Sequence, residues 1–173
     1  DPAELGELAD LRADLAGIYA RQGRMDEARE MTQMAMELAE RSGQAAVISG
    51  VYSRHSRIYL LAGEPQKALE WIDRAIAVGA PVSGARSVLV RQSARLGVLV
   101  ALQRWAEAGE LIESLLAEAR RTGDLLVERS LMEMHGEILM ANGYAAGAYA
   151  AARQAHRIQE SMATTMTSRR IAD

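Results

Sequence analysis

Four alanines, Ala28, Ala68, Ala108 and Ala148, stand forty residues apart. Tyr19, Tyr59, Leu99 and Leu139 keep the same interval, as do Ala35, Ala75, Leu115 and Ala155. Gly23, Gly63 and Gly143 hold a further column, in which Gln103 is the exception. Insertions would have shifted these columns out of step, and none has. A period between about 20 and 50 residues implies a solenoid of similar supersecondary units, each covering the apolar face of its neighbour.

Each unit reads as two helices. "LADLRADLAGIYARQG" sets Leu8, Leu11, Leu15, Ile18 and Tyr19 at helical spacing on one face. Gly23 supplies the left-handed turn that ends this helix, and Asp26 is placed to help open the next. That helix carries Ala28, Met31, Met34, Ala35 and Leu38 on its face before Ser42-Gly43. Pro65 falls at a helix's first turn, where a missing N–H costs little. Small residues in the Ala28 column let paired helices approach; large ones in the Tyr19 column fill the space between units. The expected helices are 2–22, 25–42, 44–62, 65–79, 84–102, 105–122, 124–142 and 145–170. Asp1, Pro2 and Glu4 suit an N-terminal start, with Asp as cap and Pro just inside. "GAPVSG", residues 79–84, is the clearest loop.

Composition supports an all-helical chain: Ala, Leu, Met, Glu, Arg and Gln dominate, and Pro occurs only at 2, 65 and 81. The net charge of −3 is spread along the sequence and gives no nucleic-acid footprint. Lys67 is the only lysine, a bias that fits a GC-rich genome. With no Cys there is no disulfide or thiolate chemistry, which fits the cytoplasm. "SVLVRQSARLGVLVAL" is broken by Arg91, Gln92 and Arg95, so no membrane span is expected. No signal peptide is evident. The chain opens on Asp1-Pro2, which suggests a piece of a longer protein.

A search for chemistry finds little. His135 lies between Glu133 and Glu137, a pair that shares a helix face from which His135 points away. No metal-ligand spacing involves the histidines, and the acidic pair reads as solvated or groove-lining. His55 falls in the column of Leu15 and is expected to pack between helices with a hydrogen-bonded nitrogen. His156 is unpaired by sequence. Met31, Met34, Met36, Met132, Met134 and Met140 mostly fall at core spacings, with Met134 and Met140 within reach of a groove. With no nucleophile elbow, phosphate loop or triad ordering, the piece is expected to be non-catalytic and to need no cofactor.

"LAGIYARQGRMDEAREMTQMAMEL" and "HSRIYLLAGEPQKALEWIDRAIAV" resemble tetratricopeptide repeats. Tyr19, Gly23, Ala28 and Ala35 carry the likeness, then Tyr59, Gly63, Ala68 and Ala75. The third unit is degenerate, with Leu99, Gln103, Trp105, Ala108 and Leu115; the fourth keeps Gly136, Gly143, Ala148 and Ala155. The period of forty is longer than the family's commonest form and implies longer helices. The resemblance implies an all-α, right-handed α-solenoid of four hairpins. It would form one domain over 1–173, in units of about 2–43, 44–83, 84–123 and 124–162, with 163–173 as capping or connector helix.

It also implies a concave face, built from the first helix of each unit, that takes a protein or peptide. The residues expected there are Asp10, Ala13, Gly17, Ala20 and Arg21, then Ser53, Arg54, Arg57 and Leu60. Val90, Ser93, Gly97 and Val100 follow, then Ser130, Glu133, Glu137 and Met140. Arg21, Arg54 and Arg57 make a basic half, Glu133 and Glu137 an acidic end, and Val90, Gly97 and Val100 an apolar floor. Such a lining suits an extended peptide or a partner's helix, with Arg holding a carboxylate. Family members that clamp chaperone C-termini use lysines, and Lys67 lies outside this set.

Ile158, Met162 and Met166 continue the last helix at four-residue steps, and Ile171 less regularly. A capping helix and a connector to a further domain are both compatible with that pattern. "AYAAARQAHRIQESMA" followed by "SRRIAD" resembles the exit segment of bacterial repeat-containing signalling proteins, on Ala148, Tyr149, Ala152, His156, Arg169, Arg170 and Ile171. There the repeats precede a GGDEF diguanylate cyclase domain or a histidine kinase. The resemblance implies a cytoplasmic sensory or scaffolding module that binds a protein, a peptide or its own dimer mate, and neither nucleic acid nor membrane. The alternative is the ligand- or peptide-sensing region of a repeat-containing transcriptional regulator.

Overall fold

The computed structural model describes the backbone of residues 1–172 and the side chains of residues 1–164. Among them lie eight helices: α1 (Pro2–Arg21), α2 (Met25–Ser42), α3 (Ala45–Leu61), α4 (Pro65–Gly79), α5 (Ala85–Ala101), α6 (Trp105–Thr122), α7 (Leu125–Ala141) and α8 (Ala145–Ala172). Each helix begins or ends within two residues of the expected place. The side chains of Met166, Arg169, Arg170 and Ile171 lie outside the described residues.

Local chemistry explains the boundaries. Asp1 caps α1, accepting from the Ala3 N–H at 2.8 Å, and Glu4 reaches back to complete a capping box. The α1–α2, α3–α4 and α7–α8 turns pass through Gly23, Gly63 and Gly143 at φ of 77°, 75° and 82°. Glycine takes this left-handed backbone without a Cβ clash. Asp26 stands inside the first turn of α2 and not at its cap, which is Arg24; an acid there still suits the helix dipole. Pro65 occupies the first turn of α4, as the missing N–H allows.

The chain divides into two compact units, Asp1–Leu102 and Gln103–Asp173. In the first, α1 pairs with α2 and α3 with α4; α3 covers α1 and α2, and α5 covers α3 and α4. One core cluster joins Ala9, Ala13, Ala35, Met36, Ala39 and Val51, and another joins Ala16, Ala20, Ala28 and Ile58. Both are rich in alanine, so the helices approach closely and Val51 and Ile58 of α3 seat between α1 and α2. In the second unit α6 packs on α7 and α7 on α8. Its buried side chains include Ala108, Ile112, Leu116, Leu131, Ile138, Ala148 and Ala155.

The Ala28 and Ala35 columns are buried in every unit, as their size predicts. α1 departs from expectation. Its buried face is Gly6, Ala9, Ala13, Ala16 and Ala20, whereas Leu8, Leu11 and Ile18 are exposed. The alanines face α2 and α3. His55 is buried as expected. Its Nδ1 lies 3.3 Å from the Thr32 hydroxyl, with the rings of Tyr59 and Trp71 edge-on at 4.9 and 4.6 Å. Burial pushes its pKa down to about 4. Of the methionines, Met36 and Met132 are buried, Met31 and Met34 are half-buried against Arg12, and Met140 is exposed.

Candidate functional site

In the first unit, α1 and α3 together line a pocket of about 220 Å³. Its lining includes Asp14, Gly17, Ile18 and Arg21 of α1 with Arg54, Arg57 and Leu61 of α3. Gly17 keeps the floor low, since only the Arg21 guanidinium lies near its missing side chain, at 3.6 Å. Ile18 and Leu61 are exposed apolar walls.

The three arginines are not equivalent. Arg54 is held by two carboxylates of α1, Asp10 at 2.8 Å and Asp14 at 3.3 Å, so its charge is largely answered within the unit. Arg21 and Arg57 are exposed, and neither makes an ion pair among the described residues. The free cationic capacity therefore rests on Arg21 and Arg57, while Arg54 ties α3 to α1. Asp10 serves the same tie and faces Arg54.

The other expected lining residues fall as follows. Ser53 and Leu60 of α3 are half-buried. On α5, Val90 is exposed and Gly97 half-buried, Ser93 turns its hydroxyl back to the Leu89 carbonyl at 2.8 Å, and Val100 is buried. Ala13 and Ala20 are buried against α2 and α3.

Glu133, Glu137 and Met140 lie in the second unit, on α7. They line a groove of about 650 Å³ with Gly136 and, from α8, Ala145, Ala148, Tyr149, Ala152, Ala155, His156 and Gln159. Glu133 accepts a hydrogen bond from Arg129 at 2.6 Å. His135 turns away from it, its Nε2 3.4 Å from a Glu113 oxygen on α6. His156, unpaired by sequence, sits 3.3 Å from Glu160 one turn along α8. Reasoning from first helices alone missed the α8 side of this groove. The exposed aromatic Tyr149 beside a run of alanines was the available signal.

Among the described residues no cluster of His, Asp and Glu is placed to hold a metal ion. No helix among them is long and apolar enough to cross a membrane. Paired helices with open, side-chain-lined grooves define a helical-repeat module of the kind that binds other proteins. The chain belongs to the tetratricopeptide repeat family, whose sequence profile matches residues 7–95. Two crystal structures of a kinesin light chain of Podosopora anserina, with nearly identical TPR-like repeats, share its fold. One superposes with TM-score 0.69 at 20% identity, over 90% of this chain and 76% of its own. The other gives 0.65 at 21%, over 89% and 76%. BtubC (BKLC) from P. vanneervenii gives 0.65 at 18%, over 94% and 84%. No curated protein matches the chain.

Proposed function

We propose that the chain is a non-catalytic binding module whose first unit seats an acidic peptide segment in the α1–α3 pocket. Arg21 and Arg57 take the ligand's carboxylates, and Ile18 and Leu61 hold an adjacent apolar side chain. The observation that carries this is the pair of exposed guanidiniums without carboxylate partners among the described residues, beside two exposed aliphatic residues on a glycine-floored pocket. Guanidinium suits the role because its planar fork matches a carboxylate with two parallel hydrogen bonds. In the parent protein the module is the sensory or scaffolding part of a bacterial signal-transduction protein, such as a diguanylate cyclase. The exit-segment resemblance and the 28-residue length of α8 support that placement. Ligand binding would act by favouring one of the arrangements the helices already populate.

The test is selection from a display library of short peptides, followed by fluorescence anisotropy on those enriched. Acidic peptides with a neighbouring leucine or isoleucine should be enriched, and binding should weaken with salt. Arg21→Glu with Arg57→Glu should reduce affinity about tenfold or more, as expected for losing charge-assisted bonds. Enrichment indifferent to acidity, or a double variant that binds equally well, would remove the basis for this pocket.

A further inference from the structure

Arg12 of α1 ends among poor acceptors. A terminal guanidinium nitrogen lies 3.4 Å from the Met34 sulfur and 3.7 Å from the Met31 sulfur, both on α2. Its Nε is buried without a hydrogen-bond partner among the described residues. A thioether sulfur accepts only weakly, so a permanent cation is set against two of the weakest acceptors a side chain offers. The contact is made inside the α1–α2 hairpin, between residues of its own two helices.

Met34, the nearer sulfur, is also within reach of solvent. It is half-buried, and one period on its column holds Arg74, which is exposed. Arg74 stays exposed although the α3–α4 hairpin carries α1 and α2 on one side and α5 on the other. Access therefore belongs to this column even in a hairpin packed from both sides. Met36, two residues further along α2, is the contrast: it is 6% exposed and sits in the core cluster with Ala39 and Val51.

We infer that Met34 is a reversible oxidation site whose sulfoxide is held by Arg12, the oxidant being a hydroperoxide. The thioether lone pair attacks the protonated oxygen of the peroxide and the O–O bond breaks. The other oxygen leaves with that proton, as an alcohol or, from hydrogen peroxide, as water. Sulfur loses two electrons and the peroxide gains them, so no further reactant is needed. The new oxygen is a strong acceptor, and the flexible methionine side chain can turn it onto the guanidinium already beside the sulfur. A weak contact thereby becomes a charge-assisted hydrogen bond between α1 and α2. A sulfoxide in a packed core disrupts it, whereas here the donor is in place beforehand. Reduction of the sulfoxide returns the original thioether.

Graded hydrogen peroxide, with peptide mass mapping of the nine methionines, gives the order of oxidation. Met34 should reach its sulfoxide along with exposed Met140, and well before buried Met36 and Met132. Denaturant titration at that dose then compares the wild type with Arg12→Leu. Oxidation should lower the folding equilibrium constant of Arg12→Leu about tenfold more than that of the wild type, the loss expected for one charge-assisted bond. In a Met34→Leu background the difference between the two should disappear. Arg12→Gln supplies the same comparison if Arg12→Leu does not fold, since its column already carries that residue type at Gln92. A Met34 that stays unoxidised until Met36 and Met132 react would overturn the inference. So would an oxidation that destabilises the wild type and the Arg12 variants equally.

Discussion

Gln103 carries a backbone that the rest of its column leaves to glycine. Its φ is 56°, against 77°, 75° and 82° at Gly23, Gly63 and Gly143. A side chain there brings Cβ toward the carbonyl, at a cost of roughly 1–2 kcal/mol. Gln103→Gly should therefore raise stability by about 1 kcal/mol, partly offset by the freer unfolded chain, and a denaturant titration would show the midpoint rise. An unchanged or lower midpoint would mean the glutamine is held by contacts that outweigh its strain. His55 offers a second residue-scale test. Its folded pKa of about 4 lies below its ordinary value of 6.5, so the unfolded chain binds the proton more readily. The neutral ring's contribution is complete above pH 6.5, declines as pH falls, and is lost below about 4, a change of at most about 3 kcal/mol. His55→Leu, the residue type of the first repeat's Leu15, should flatten that part of the stability–pH curve. Melts of both proteins between pH 7 and 4 give the difference directly, and parallel curves would show that the proton is not excluded.

At the scale of the helix, contrasting glycines show how far packing departs from propensity. A Cβ on Gly79, at the end of α4, would lie 2.5 Å from the Ser49 hydroxyl and 3.0 Å from the Arg91 guanidinium. Ser49 is buried and donates to the Ala75 carbonyl at 2.6 Å, so it has no room to withdraw. Gly79→Ala should cost about 1–3 kcal/mol. Gly109 lies inside α6 with open space around it, and Gly109→Ala should gain about 0.5–1 kcal/mol from helix propensity alone. Thermal melts of the two variants should move in opposite directions. This division also explains what could be read from the sequence. Helix ends were legible because caps, glycines and Pro65 act within a turn or two of themselves. The inner face of α1 was not, because Ala9–Ala13–Ala16–Ala20 and Leu8–Leu11–Leu15–Ile18 are both periodic stripes. Which one is buried depends on the helices that pack on α1, and α2 and α3 meet its alanines. The pairing of Arg54 with Asp10 and Asp14 was hidden for a similar reason: the partners meet only once α3 packs on α1. So Arg54 could be counted with Arg21 and Arg57 as free charge until the fold separated them.

For the molecule as a whole, repeat architecture makes stability a sum of terms between neighbours rather than the property of one shared core. The first unit contains the terms it needs: α1 with α2, α3 with α4, α3 over the first hairpin and α5 over the second. Both clusters around Val51 and Ile58 are built from residues within it. Residues 1–102 expressed alone should therefore fold, with α5 serving as the covering helix. The expected result is strong helical circular dichroism and a cooperative melt, at a lower temperature than the full chain because fewer neighbour terms remain. The α1–α3 pocket lies wholly within this fragment, so an acidic peptide that binds the full chain there should bind the fragment within a few-fold of the same affinity. A fragment that is unfolded would show that the neighbour terms within these helices are too weak to stand without those that follow.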